Sequence, residues 1–136
     1  MNADHDDRID LQDVMLKYAA GIDEQHDALL RSCLADDLEA PGFLDHTIRG
    51  IDDWIAYVRQ ELKPFWRTQH MLAPTLATVD GDRAQTRTDL QAMQVRKAPR
   101  GEILLIWGTY HTGMVRRQGR WLIQHHELAV KKSTTL

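Results

Sequence analysis

Three residues in this chain have the types and spacing for acid–base chemistry on carbon: Tyr18, Asp23 and His70. Tyr18 and Asp23 lie in a helix-closing segment, YAAGID, and His70 stands 47 residues beyond Asp23 in the strand-like run TQHMLAP. A carboxylate that holds one ring nitrogen of an imidazole fixes its tautomer and stabilises the ring once it has taken a proton. A phenol beside that pair can donate a proton or hydrogen-bond a developing oxyanion. The set suits elimination or isomerisation of a small organic molecule. Each residue also has an ordinary use when taken alone. Tyr18 fits a helix's apolar stripe, Asp23 can cap the next helix, and His70 can be a plain strand residue.

The elements that must position these residues fall into a helical first half and a strand-rich second half. Leu11, Val14, Met15, Tyr18, Ala19 and Ile22 recur at helical spacing and define a core-facing stripe. At 100° per residue, Asp23 falls about 110° from the centre of that stripe, on its flank. Gly21 offers the backbone a place to turn before Asp23. His26 to Ala35 reads as a second helix with Leu29, Leu30, Cys33 and Leu34 apolar. Residues 37–49, with Pro41 and Gly42, read as a short irregular strand or hairpin. Ile51 to Lys63 reads as a third helix, with Trp54, Ile55, Val58 and Leu62 as its stripe and Pro64 as its end.

Four long strands are expected after that, divided by DGD at 80–82, APRG at 98–101 and RQG at 117–119. Thr86, Thr88 and Leu90 alternate with polar residues, and the apolar phase then moves to Met93 and Val95. A bulge at Gln91 to Met93 would account for that shift and bend the sheet. ILLIWG at 103–108 is apolar on both faces and reads as a central strand. Trp107 and Tyr110 have opposite parity, so one of them faces inward. His125 and His126 also point to opposite faces in regular β geometry, and parity alone does not choose between them. The C-terminal AVKKSTTL is expected to run on past the last strand. Three helices followed by a bent antiparallel meander give an α+β fold in one domain, residues 1–136, whose curved sheet can enclose a pocket.

The totals exclude several functions. The chain is 43% hydrophobic and 27% charged, with a net charge of −3 and no basic block, which argues against nucleic-acid binding. The single cysteine, Cys33, cannot form an internal disulfide and reads as a buried structural thiol in a reducing compartment. The acidic opening, MNADHDDRID, lacks the pattern of a signal peptide, and no apolar run approaches membrane-spanning length; a cytoplasmic protein is expected. No phosphate-cradling, dinucleotide-binding or serine-elbow motif is present, so no cofactor is expected. A metal site built from His70, His111 and one of the His125/His126 pair lacks the short fixed spacings of zinc motifs, so none is assigned.

The chain resembles the SnoaL-like branch of the nuclear-transport-factor-2-like superfamily over nearly its whole length. GTYHTGMVRRQGRW at 108–121 matches the family's last hairpin through Gly108, Tyr110, Arg116, Gly119 and Trp121, and VDGDRA at 79–84 matches the preceding one. The resemblance implies a cone-shaped barrel of a strongly curved, mostly antiparallel sheet with three helices enclosing a pocket. Its members include proteins of the bile-acid dehydratase, scytalone dehydratase and hexachlorocyclohexane dehydrochlorinase types. In such dehydratases and dehydrochlorinases an Asp at the end of the first helix pairs with a His on the first long strand, the order of Asp23 and His70 here. Five residues before the Asp, Tyr18 resembles the dehydratases, where the dehydrochlorinases carry Lys.

Relatives often carry Arg five residues after the Trp of the last strand, where this chain has His126. An imidazole is usually neutral near pH 7 and does not grip anions as a guanidinium does, which argues against an anionic leaving group or a coenzyme A-like substrate. The resemblance implies catalysis by Tyr18, Asp23 and His70 and places His126 at the substrate. Aromatic surface adds Trp54, Trp107 and Tyr110 as substrate-contacting candidates, and Trp54, Tyr57, Phe65 and Trp66 as candidates for the pocket mouth, against the ordinary core packing that serves most aromatic residues. The expected activity is that of a cofactor-independent lyase or isomerase acting on a largely apolar, cyclic or polycyclic small molecule. The alternative is a non-catalytic ligand-binding or scaffold subunit, like the small subunit of ring-hydroxylating dioxygenases. Relatives' habits imply a homo-oligomer, a dimer or trimer.

Overall fold

The apolar spacing of the first half produces three helices, α1 (His5–Asp23), α2 (Asp27–Ser32) and α3 (Ile51–Leu62). Seven strands accompany them: β1 (Leu34–Ala40), β2 (Ile48–Arg49), β3 (Phe65–Leu72), β4 (Leu76–Asp80), β5 (Arg83–Arg96), β6 (Ile103–Arg117) and β7 (Arg120–Thr135). These come from a computed structural model that describes residues 5–136; the first four residues of the acidic opening lie outside it. The strands form one sheet in the order β2-β1-β7-β6-β5-β3, with β4 also paired to β5. Only β1 and β7 run parallel; the other pairings are antiparallel. This is the α+β, helix-covered curved sheet that the sequence implied, and β6 is an inner strand as its two apolar faces required.

Helix α1 buries Leu11, Met15, Tyr18, Ala19 and Ile22, the predicted stripe. It runs unbroken through Gly21, contrary to the expected turn. Gly21 instead permits a close helix crossing: a Cβ there would lie 2.9 Å from the Leu30 backbone nitrogen on α2. α2 is shorter than the expected 26–35 span. His26 caps it, its Nδ1 accepting from the Leu29 N–H at 3.1 Å. The chain then leaves the helix because β7 captures its backbone, the Ile123 N–H donating to the Cys33 carbonyl at 2.8 Å. Leu34 and Ala35 are buried in β1, and Cys33 is the buried thiol expected. Antiparallel pairing of β1 and β2 forms the short hairpin expected within residues 37–49.

The first of the four expected long strands is split. Pro74 has no N–H to offer a ladder, and the chain bends at Ala73–Thr75. Both pieces, β3 and β4, still pair with the same strand, β5. β5 itself is continuous through 91–93, so the predicted bulge there is absent. Ala84, Thr86, Thr88, Leu90 and Ala92 keep one parity on the interior face throughout. Met93 and Val95 mark the end of β5 that is half-buried on both faces, not a change of phase.

Register shifts lie instead at the start of β3, between Phe65 and Arg67, in the β1–β7 pairing, and in β7 against β6. Opposite Gly113 and Met114 the strand carries one extra residue, Gln124, and a second shift lies opposite Trp107 and Gly108. The first inverts the parity: Trp121 and Ile123 before it and His126 after it all face the interior and are buried. The C-terminal stretch is part of this strand, paired to β6 as far as Thr135, rather than a tail beyond it.

Candidate active site

Asp23 is the last residue of α1, and its carboxylate reaches the exposed edge of β3. Oδ2 accepts the backbone N–H of His70 at 2.7 Å. Oδ1 accepts the Thr68 hydroxyl at 2.9 Å and faces the His70 ring Nδ1 at 2.7 Å. A carboxylate only accepts, so Nδ1 carries the hydrogen and Nε2 is left with its lone pair when the ring is neutral. The edge strand thus gains a partner for a backbone donor, and the same bonds orient the imidazole. Helix α1 holds this edge at a second point, where the Gln12 side chain accepts the Thr75 N–H at 3.0 Å. The pair is largely withdrawn from solvent, with side-chain exposures of 13% for His70 and 17% for Asp23.

His70 forms part of the wall of a cavity of about 140 Å³ between the helices and the interior sheet face. Tyr18, Tyr57 and Tyr110 line it together with Trp54, Phe43 and an aliphatic surface of Ile22, Val58, Leu62, Leu90, Ile106 and Leu128. Ala92, Gln94 and Glu61 complete the lining. Burial raises all three phenols above the ordinary tyrosine value: Tyr18 and Tyr110 strongly, Tyr57 to about 12. They therefore remain protonated donors at neutral pH. Among the further causes, the Asp23 charge acts on Tyr110, which associates that phenol with the carboxylate–imidazole pair.

The structure brings Tyr18, His70, Trp54 and Tyr110 to one cavity, with Asp23 bonded to His70 from behind. It separates two of the expected substrate-binding residues from that wall. Trp107 is on the outer sheet face, its Nε1–H donating to Gln91 at 3.2 Å. His126 is buried outside the cavity lining, inside a cage of rings. The ring centroids of Tyr110, Tyr18, Trp54 and Phe43 lie 4.7, 4.8, 5.7 and 5.8 Å from its own. Its Nδ1 pairs with the Thr112 hydroxyl at 3.0 Å, and Nε2 is buried without a hydrogen-bond partner. Burial, aided by the nearby His125, holds its pKa down at about 3. It is a neutral ring that backs Tyr18 and Tyr110, two walls of the cavity.

Three polar site residues were not among the sequence-based candidates. Thr68 was legible in principle: it precedes His70 by two in a strand, so both point to one face. Glu61 and Gln94 carried no signal beyond helix and strand position. Of the aromatic residues read as candidates for the pocket mouth, Trp54 and Tyr57 line the cavity, whereas Phe65 and Trp66 do not. His111 lies on the outer face opposite Glu127 and Arg87, away from His70. No group of three or more potential metal-ligating side chains gathers among the described residues. Of the turn-flanking arginines, Arg117 is exposed and pairs with Asp37, while Arg116 is half-buried, bonds Asp7 and Asp82 and lies over Trp121. No described helix is long and apolar enough to cross a membrane.

A helix-covered, curved sheet with its cavity between the layers defines the class of this protein as the cone-like α+β fold. The SnoaL-like domain family model matches residues 3–127, and the chain belongs to that family. Solved structures share the fold at low identity. A hexachlorocyclohexane dehydrochlorinase, LinA type 3, from Novosphingobium barchaimii is 20% identical with a TM-score of 0.86, covering 95% of this chain and 89% of its own. A candidate scytalone dehydratase from Novosphingobium aromaticivorans is 20% identical with a TM-score of 0.83, covering 93% and 85%. A candidate aromatic ring hydroxylase from the same species is 18% identical with a TM-score of 0.88, covering 99% and 96%. Comparison with curated proteins finds no match.

Proposed function

We propose that this protein is a cofactor-independent lyase or isomerase that removes a proton from carbon beside a carbonyl or similar activating group. The observation that carries this reading is the Asp23–His70 pair, bonded at 2.7 Å, on the wall of a mostly apolar cavity lined by protonated phenols. Nε2 of His70 takes the proton, and Asp23 stabilises the imidazolium that results. A phenol, Tyr18 first, hydrogen-bonds the oxygen on which negative charge develops, or protonates a departing hydroxyl. The proton then leaves with the hydroxyl as water in a dehydration, or returns to a different carbon in an isomerisation. The cavity volume favours a substrate built on about one ring rather than several. Similarity to a dehydrochlorinase and a candidate scytalone dehydratase supports elimination over other uses of the fold.

The test is a panel of cyclic β-hydroxyketones, with turnover and deuterium exchange in D2O followed by NMR. Asp23→Asn should lower turnover by about 10²- to 10⁴-fold while leaving the circular-dichroism spectrum close to wild type. Full activity in Asp23→Asn would falsify the mechanism. A second reading is a non-catalytic or accessory subunit. It is supported by similarity to a candidate aromatic ring hydroxylase over almost the whole of both chains. It predicts no turnover and no exchange with any member of the panel.

A further inference from the structure

The charged side chains of the cavity point to the class of substrate it takes. Its lining contains no lysine or arginine. The buried imidazole of His126 is neutral and outside the lining. One carboxylate does line the cavity: Glu61, one helical turn after Tyr57 on α3. Glu61 takes part in no described ion pair, while its charge helps to raise Tyr57. Tyr57 and Glu61 also form one end of a surface groove of about 500 Å³ that runs along α3 and β2, so they stand where cavity and groove meet. The groove's own charges do not offset Glu61. Its Arg49 is already bonded to Glu39, its His46 to Asp45, and its Asp53 adds a second negative charge. Lys63, close by on the chain, donates to Gln60 at 3.0 Å.

We infer that Glu61 is a specificity-determining residue, and that the site prefers a single apolar ring carrying a protonated amine at its outer end over one carrying a carboxylate or phosphate. This rests on the cavity being the substrate site, as proposed above, and names the substrate class for it. The ring fills the aliphatic and aromatic interior near His70. The ammonium reaches the Tyr57–Glu61 rim, where it gains a carboxylate partner without leaving water completely. An anionic group there meets Glu61 with no free cation in the lining. A partly exposed pair is worth little in absolute terms, so the selection is one of a few-fold and is screened by salt.

The experiment uses three matched probes: 2-phenylethylamine, 2-phenylethanol and 3-phenylpropanoate. Binding is followed through the methyl NMR signals of Ile22, Leu90, Ile106 and Leu128, which line the cavity and so locate each probe. In 20 mM salt the amine should bind about three- to fivefold tighter than the alcohol, and the carboxylate weakest. In 0.5 M salt the three should converge. Glu61→Gln should remove the advantage of the amine, and Glu61→Lys should invert the order. If the probes move these methyls but bind without charge order, or if Glu61→Gln keeps the wild-type order, the role of Glu61 is overturned while the cavity reading stands. If no probe moves them, both the cavity reading and the inference built on it are overturned.

Discussion

The Asp23 carboxylate receives three hydrogen bonds from two residues of one strand, and this is what separates it from an ordinary helix-end acid. The backbone bond from His70 fixes where the carboxylate sits, and the bond from Thr68 fixes its rotation. The ring bond then has one geometry available. Thr68 is accordingly a positioning residue. Thr68→Val should lower kcat on the order of tenfold with KM little changed, well short of the loss in Asp23→Asn, and Thr68→Ser should restore most of it. Steady-state kinetics on a substrate found in the panel check this, and an equal loss in Val and Ser variants would count against it. Tyr18→Phe keeps the shape of the cavity and removes one donor. It should lower kcat by about 10²- to 10³-fold if Tyr18 serves the developing oxyanion. A loss confined to Tyr110→Phe would move that role to the phenol influenced by Asp23.

At the scale of elements, the site depends on where α1 ends and how closely α2 crosses it. Gly21→Ala should be favourable by about 1 kcal/mol on helix propensity alone. The added Cβ, however, would meet backbone atoms of Leu30, not the end of a flexible side chain. Overpacking of this kind typically costs about 1–3 kcal/mol, so the contact outweighs the propensity and the variant should be net destabilised. Urea denaturation gives the sign directly; a stabilised variant would mean that α2 moves without cost. The helix periodicity and turn signals made most elements legible in the sequence, because each is set by local residues. Two features were not. The end of α2 is decided by β7 capturing the Cys33 carbonyl, a contact across 90 residues of chain. The orientation of His126 depends on the extra residue at Gln124, which no parity count reveals. The Asp23–His70 pairing came from family resemblance, since helical spacing alone left Asp23 on the flank of its stripe.

For the whole molecule, the buried His126 ties stability to pH. In the folded protein it resists protonation down to about pH 3, against an ordinary value of 6.5. Below about pH 6.5 the unfolded chain therefore binds a proton that the folded chain does not. Stability is complete above that pH and declines as pH falls toward the folded value. Asp37, held far below the carboxylate range chiefly by Arg117 and Gln124, loses its contribution only in more acidic solution. Between pH 7.5 and 4.5 the wild type should lose about 3 kcal/mol that His126→Gln does not, read from urea midpoints at each pH. Parallel pH profiles for the two proteins would show that the aromatic cage opens before the ring titrates.

The central claim is that the Asp23–His70 pair presents an unprotonated Nε2 to the cavity. The most direct test is the 15N chemical shifts of the His70 ring in histidine-labelled protein, in the pH range where that ring is neutral. The structure predicts a protonated Nδ1 and an unprotonated Nε2, with this tautomer preference weakened in Asp23→Asn. A hydrogen on Nε2 in the wild type, with Nδ1 bare, would contradict it and leave the cavity without a base.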